Sequence, residues 1–262
     1  MAPAAPRQRL MRVGAVDVDA SAADALASTD AARLPATPPE PLFRLQRRDG
    51  VLELEALAEP ALGRLAIDLV GGAVGWRGGP RARQERLVRA CRVLRPEGEP
   101  PRRIVDGTGG LGTDAWLLAS AGGAVTVLEQ HPVLRALLRD ALARAAYQAP
   151  EIAARVTLRA GDTRACIAGL APEVLYLDPM YAPRRKQALG DRRLRLVAAL
   201  LAADEIVGDD AVGLVGAGLA AGVGRVVLKC PLRARLDGLP APNHTLAGRS
   251  TRFDVWVSPA GS

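Results

Sequence analysis

The chain has 262 residues, 49% of them hydrophobic, enough for one large domain or a domain with a small appendage and too apolar for wholesale disorder. Its net charge of +7 is nearly all arginine, since Lys186 and Lys229 are the two lysines; this fits a polyanionic partner or an acidic substrate, or else an Ala-, Arg- and Gly-rich genome. Cys91, Cys166 and Cys230 lack CxxC spacing, which argues against a disulfide framework and a metal site, and no run of about 18 apolar residues or signal-peptide core is present, so the expectation is a cytoplasmic protein without membrane or metal partners.

In chain order, RVGAVDVD (12–19) alternates like a short strand, and SAADALASTDAARL (21–34) reads as a helix opening on Ser21. FRLQRRDGVLELEAL (43–57) is two alternating runs around Asp49-Gly50, a hairpin signal. LAIDLVGGAVGW (65–76) reads as a strand broken at Gly71-Gly72. PRARQERLVRACRVL (80–94) reads as a basic amphipathic helix with Leu87, Ala90, Cys91 and Leu94 on one face. From residue 100 strand and helix alternate. Strands are expected over 102–106, 125–129, 156–162, 174–178 and 225–230, with helices over 114–122, 132–148, 191–207 and 209–222. HTLAG and RFDVWV are expected to close the sheet as an antiparallel pair. Such βα units imply a parallel sheet with a site at the carboxyl ends of its strands. The expected division is a small N-terminal α/β region, 1–79, and a Rossmann-like domain, 80–262.

Four of those strands deliver a carboxylate to one rim: Asp106, Glu129, Asp162 and Asp178. After Asp106, the loop Gly107-Thr108-Gly109-Gly110-Leu111-Gly112 matches GxGxxG, with Glu129 about 20 residues on, so a nicotinamide-dependent oxidoreductase is one reading. A carboxylate directly before the first glycine suits an ammonium group better than a pyrophosphate. Asp162 and Asp178 have no place in a dinucleotide pattern. Together the four acids suit S-adenosylmethionine: its amino group near Asp106, ribose hydroxyls on Glu129, the adenine amino group near Asp162.

Val174 to Lys186 reads VLYLDPMYAPRRK. Asp178-Pro179-Met180-Tyr181 resembles the (Asp/Asn)-Pro-Pro-(Tyr/Phe) motif of methyltransferases acting on nucleobase amines. The resemblance implies that Asp178 and a backbone carbonyl fixed by Pro179 orient the amine, while Tyr181 stacks on the swung-out base. Together with VDGTGGLGTDAWLLASAGGAVTVLEQHPVLRALLRDAL, the segment resembles the RsmJ family of bacterial 16S rRNA guanine-N2 methyltransferases. IDLVGGAVGWR (67–77), VVLKCP (226–231) and RFDVWV (252–257) extend the likeness. It implies a class I S-adenosylmethionine-dependent methyltransferase with a seven-stranded mixed sheet, acting on 16S ribosomal RNA or the small ribosomal subunit. It places cofactor contacts at Thr113, Asp114, Glu129, Gln130, Gly161, Asp162 and Asp178, beside Asp106, Gly107 and Gly109 of the loop. Arg184, Arg185 and Lys186, just beyond Tyr181, are expected to hold RNA phosphates. A non-catalytic RNA-binding ribosome-assembly factor keeping the fold is the other rival reading.

His131 is a solvated loop residue or a cofactor-edge contact. Trp76 and Trp116 read as packing rather than base platforms. The arginines at 81, 83, 86, 89, 92 and 95 form a solvated face or an RNA-binding strip. His244 has no triad partner.

Overall fold

The computed structural model describes residues 9–26, 40–79, 81–179, 191–204 and 210–258. In chain order the first half holds β1 (Arg9–Val13), β2 (Val16–Asp19), α1 (Ala23–Leu26), β3 (Phe43–Arg48), β4 (Val51–Ala56), β5 (Arg64–Leu65), α2 (Gly72–Arg77), α3 (Arg86–Ala90), β6 (Arg103–Asp106), α4 (Thr113–Ser120) and β7 (Ala124–Glu129). There follow α5 (Pro132–Gln148), α6 (Pro150–Ala153), β8 (Val156–Ala160), α7 (Thr163–Leu170), β9 (Val174–Leu177), α8 (Arg192–Ala203), α9 (Ala211–Ala220), β10 (Arg225–Pro231), β11 (His244–Ala247) and β12 (Thr251–Val257). These elements cluster into two compact units, one of 1–67, 131–141 and 182–208, the other of 68–130, 142–181 and 209–262. Residues 68–79 thus cluster with the later strands, and 131–141 and 182–208 with the N-terminal ones.

The first unit carries a five-stranded sheet in the order β1-β2-β3-β4-β5. The single strand expected over 12–19 is part of a hairpin: β1 and β2 pair antiparallel, and Gly14, at φ 54°, makes the reversal in a region that glycine enters without steric cost. The β3–β4 hairpin forms as expected, with Asp49 (φ 50°) and Gly50 (φ 80°) both left-handed, as a two-residue turn of this hand needs. The strand expected over 65–76 stops almost at once. Asp68 accepts from the amides of Val70 (3.0 Å) and Gly71 (2.8 Å), a turn that ends the extended run before α2. The helix expected over 21–34 begins with a 3-10 turn and α1, and residues 27–39 lie outside the described ones.

His131 corrects both sequence readings. It is fully buried, neither in solvent nor a rim residue. Its Nδ1 accepts from the amides of Val133 (3.2 Å) and Leu134 (3.4 Å), capping α5 where Pro132 has no N–H to cap. That leaves Nε2 as the donor to Asp204, at 2.9 Å, and Asp204 also accepts from the amide of Ala15. Within the same unit Asp140 of α5 takes the Arg47 guanidinium at 2.6 Å and the amide of Leu52 at 3.3 Å.

The second unit holds the expected seven-stranded mixed sheet, in the order β11-β12-β10-β9-β6-β7-β8. The strands β10, β9, β6, β7 and β8 are parallel, and β12 and β11 are the antiparallel pair expected at the chain end. The order runs outward from β6 to β8 and then returns to β9 beside β6. That reversal opens a crevice at the carboxyl ends of β6 and β9. Buried Val105, Leu128, Leu175, Leu177, Val226 and Leu228 make the sheet's part of the core. The basic helix expected over 80–94 is shorter: a 3-10 turn, Ala82–Gln84, precedes α3, and Arg92 at φ 48° prevents the helix from continuing. Leu87, Ala90 and Cys91 are buried, whereas Leu94 lies beyond the break and is exposed. The helix α7, not anticipated, is capped by Asp162, whose carboxylate accepts from the amide of Arg164 at 2.9 Å.

Candidate active site

Parallel β6, β7, β8 and β9 end on one edge of the sheet, so Asp106, Glu129, Asp162 and Asp178 lie along one rim. Between the first two runs the glycine loop. Gly109 must be glycine, because a Cβ there would sit 2.8 Å from Val127 Cγ1 and 2.9 Å from the Leu128 carbonyl oxygen; its amide donates to that carbonyl at 3.0 Å. A Cβ on Gly107 would meet Thr163 Oγ1 at 2.7 Å, and the Thr163 hydroxyl donates to the Gly107 carbonyl at 2.6 Å. The loop therefore lies directly on the strand ends. Glu129, buried at the end of β7, accepts from the amide of Gly110 at 2.8 Å, and Asp106 accepts from the amide of Thr108 at 3.1 Å.

The register of the central strands builds the rest. Leu228 of β10 pairs with Leu177 of β9, which puts Lys229 beside Asp178. Lys229 Nζ donates to Asp178 Oδ2 at 2.7 Å and to Asp114 Oδ2, in the first turn of α4, at 2.8 Å. The buried Tyr176 hydroxyl donates to the same Asp114 oxygen at 2.6 Å, and Arg77 Nη1 lies 3.8 Å from Asp114 Oδ1. Thr108 closes the network by accepting from the amide of Asp178 at 2.7 Å.

The electrostatics separate the two carboxylates on Lys229. Burial pushes Asp114 upward, but the charge and hydrogen bond of Lys229, with Tyr176 and Arg77, hold it below the usual range. Burial raises Asp178, and Lys229 recovers only part of the shift because the Asp114 charge opposes it. Asp178 is therefore the more basic of the pair and the better proton acceptor. Burial weakens the Lys229 ammonium, but Asp114 and Asp178 overcome it and hold the lysine above its ordinary value. Burial, with Asp114 next, raises Tyr176 so far that it stays a donor phenol. Burial moves Asp106 up to about 7, against the Thr108 hydrogen bond. A buried carboxylate balanced at this point gains most from an ammonium partner.

These acceptors fit the chemistry of S-adenosylmethionine: Asp106 for an ammonium, Glu129 for vicinal hydroxyls, Asp162 at the outer end for an exocyclic amine. Among the sequence-predicted positions, Gly107, Gly109, Thr113, Gly161 and Asp162 line this same edge, and Gln130 is exposed beside it. The Asp162 carboxylate also pairs with the Arg164 guanidinium at 3.1 Å. Asp114 faces inward to Lys229, Tyr176 and Arg77. Pro179 is buried directly after Asp178, whereas Tyr181, Arg184, Arg185 and Lys186 lie outside the described residues. Local sequence pattern does not mark Lys229, Tyr176 or Thr108 as members of the site. One signal for Lys229 was available: it is one of two lysines in the chain and stands inside the apolar run of β10. No cluster of three His, Cys, Asp or Glu with metal-site geometry occurs among the described residues, and none of their helices is long and apolar enough to cross a membrane.

Residues 29–258 match the family described as putative SAM-dependent methyltransferase. The ribosomal RNA small subunit methyltransferase J of Rhodopseudomonas palustris (strain TIE-1) is 43% identical over 212 residues, covering 78% of this chain and 98% of that protein. The proteins of the same name from Brucella anthropi (42% over 199 residues, 74% and 93%) and Shewanella baltica (41% over 228 residues, 83% and 88%) are similar to it as well. Among solved structures, the SAM-dependent methyltransferase NGO1261 from Neisseria gonorrhoeae superposes with a TM-score of 0.65 at 26% identity, covering 94% of this chain and 96% of that one. With these matches the chain belongs to the family of SAM-dependent methyltransferases that includes the ribosomal RNA small subunit methyltransferases J.

Proposed function

We propose that this methyltransferase acts on RNA of the small ribosomal subunit, the bacterial 16S rRNA, and methylates the exocyclic N2 amine of a guanosine to give 2-methylguanosine. S-Adenosylmethionine is the donor, and when bound it supplies an electrophilic methyl group on a sulfonium. The names of the relatives support the RNA substrate. One observation carries the amine: Asp178, followed by Pro179, stands at the switch point with a carboxylate kept basic by burial and held in place by Lys229. Family membership sets the nicotinamide reading aside.

Asp106, Glu129 and Asp162 bind the donor's ammonium, ribose and adenine. The guanine amine is a poor nucleophile because its lone pair is conjugated with the ring. Asp178 accepts one of its N–H groups and a backbone carbonyl fixed by Pro179 accepts the other, which turns the lone pair toward the donor. As the nitrogen forms its bond to the methyl carbon, the methyl–sulfur bond breaks and its electron pair stays on sulfur, so the donor leaves as the neutral thioether; the positive charge passes to the nitrogen, where the Asp178 carboxylate stabilises it. Asp178 then takes the N–H proton and releases it to water, leaving the neutral secondary amine. Lys229 holds Asp178 at a fixed angle throughout, and Asp114 keeps Lys229 charged. Tyr181 stacks on the flipped base, and Arg184, Arg185 and Lys186 grip flanking phosphates; a flatter salt dependence of RNA binding in their triple alanine variant tests the last role. The place of work is the cytoplasm, where the subunit is made.

The test is transfer of radiolabelled methyl to naked 16S rRNA and to assembled small subunits, followed by nucleoside analysis. Label in 2-methylguanosine is expected. Label in any other nucleoside overturns the amine assignment, and no transfer to either substrate favours the non-catalytic assembly factor.

A further inference from the structure

Trp76 is the exposed indole among the described residues: 66% of it is open, while Trp116 (2%) and Trp256 (4%) are buried as packing side chains should be. Sequence alone groups it with Trp116 as packing, and the structure separates the two. Its position is fixed from both sides. Arg77, the next residue, turns inward to Glu85 at 3.2 Å and toward Asp114 at 3.8 Å, so the last turn of α2 is tied to the carboxylate that Lys229 also holds. Gly78 packs so closely on α4 that a Cβ there would lie 2.9 Å from Ser120 Oγ and 3.4 Å from the Trp116 ring. With Arg77 and Gly78 anchored, the Trp76 ring is held outward on a rigid turn rather than on a loose loop.

The ring has a cation beside it and more along the surface. The Arg81 guanidinium lies over the indole, 5.6 Å from its centroid. Arg83 on the 3-10 turn, Arg86 and Arg89 on α3 and Arg92 just past its end follow as exposed side chains, while Leu87, Ala90 and Cys91 face the core. One rigid aromatic face capped by arginine and continued by a strip of arginines matches the chemistry of single-stranded nucleic acid, in which a splayed base stacks and its phosphates meet cations. A solvated face would not need the indole, and an uninterrupted run of positive charge complements a polyanion better than the mixed-sign surface of a protein.

We propose that Trp76 and Arg81 form a stacking platform for an unpaired base of the substrate RNA, with the Arg83–Arg86–Arg89 strip following the adjoining backbone. The platform positions the strand whose target base enters the site beyond β9; in that respect it rests on the RNA-methyltransferase reading above. It touches neither the donor nor the amine.

The experiment has a binding arm and a turnover arm. Single-stranded oligoribonucleotide titrated into the whole protein should quench the exposed tryptophan fluorescence, and Trp76→Ala should remove that quench. With RNA as the varied substrate, Trp76→Ala should raise KM about tenfold or more, as for one lost base–aromatic stack, with kcat and donor affinity unchanged. Trp76→Phe should recover most of the loss, which a merely structural defect would not. Replacing Arg83 and Arg86 with alanine should flatten the slope of log affinity against log salt by about 1.4, at roughly 0.7 per phosphate contact on a single strand. Wild-type turnover on RNA with an unaltered KM and quench in Trp76→Ala overturns the platform while leaving the function standing. An absence of wild-type turnover on naked RNA and on assembled subunits alike overturns the function instead, and the oligonucleotide quench still decides the platform. A KM effect seen with assembled subunits but absent with naked RNA places Trp76 against a ribosomal protein and also overturns the proposal.

Discussion

Lys229→Met tests the centre of the site. Methionine keeps the unbranched apolar stem of lysine but removes the ammonium shared by Asp114 and Asp178. Two charge-assisted hydrogen bonds are lost, each worth about 1.5–3 kcal/mol when buried. The Asp178 side chain is 38% exposed, so its share is weakened by solvent, whereas Asp114, at 12%, keeps most of its own. The expected loss is about 2–4 kcal/mol, or roughly 5–12 °C in Tm for a chain of this size. The pH profile separates a catalytic consequence from a structural one. Lys229 lowers the Asp178 pKa, so its removal raises that value further above the ordinary one. In the proposed mechanism the carboxylate is the active form, so the acid limb of the kcat profile should move to higher pH, and kcat on its plateau should fall about a hundredfold as the carboxylate loses its fixed angle. Lys229→Arg restores the charge and should return the limb toward its wild-type position. Denaturation, donor binding by calorimetry and methyl transfer across pH give the three readouts. A variant that melts early but keeps the wild-type acid limb and plateau would refute the reasoning and leave Lys229 a strut.

Three further outcomes are expected. Asp178→Asn keeps the shape and removes the charge, so turnover should fall by about two orders of magnitude while donor affinity changes much less; near-normal turnover would make the residue a turn former. Glu129→Ala should weaken donor binding about 10- to 150-fold, equivalent to about 1.5–3 kcal/mol, and Glu129→Gln less, since it can still accept from the Gly110 amide; calorimetry with an unchanged affinity in both would remove Glu129 from the donor site. Asp106, raised from 3.8 to about 7, stays protonated in the fold over a range where the unfolded chain has lost its proton. Stability should therefore fall as pH rises between those two values and level off above, donor affinity should climb through pH 7 as the carboxylate meets the ammonium, and Asp106→Asn should flatten both curves; parallel pH dependence in wild type and variant would show that another group titrates.

What the sequence disclosed follows the range of the interactions involved. The β6-to-β10 alternation was legible because each strand is an apolar run with its own turn, and Asp106, Glu129, Asp162 and Asp178 were legible because each ends or follows its own strand. The β3–β4 hairpin was legible because Asp49-Gly50 needs no other residue to specify it. Where periodicity alone was the guide, it overreached: the arginine-rich stretch 80–94 keeps its apolar spacing through Arg92, yet the left-handed backbone there ends the helix and leaves Leu94 in water. His131 finds Asp204 from 73 residues away and Lys229 reaches Asp178 from 51 away, and no local pattern encodes either pairing.

Asp114 shows how this shapes the chemistry. Read locally, an acid in the first turn after a glycine loop is a ligand contact. In the fold it is the counter-charge that keeps Lys229 protonated, with Tyr176 and Arg77 as its other partners. Because Asp114 is held low and Asp178 is pushed high on the same ammonium, the pair behaves as a fixed charge and a base rather than as two equivalent acids. The loop, the two central strands and α4 are all needed to create that difference. Substituting Asp114 should therefore disturb Asp178 through Lys229 as much as it disturbs any direct contact with the donor, and a loss of turnover in such a variant cannot by itself assign Asp114 to donor binding.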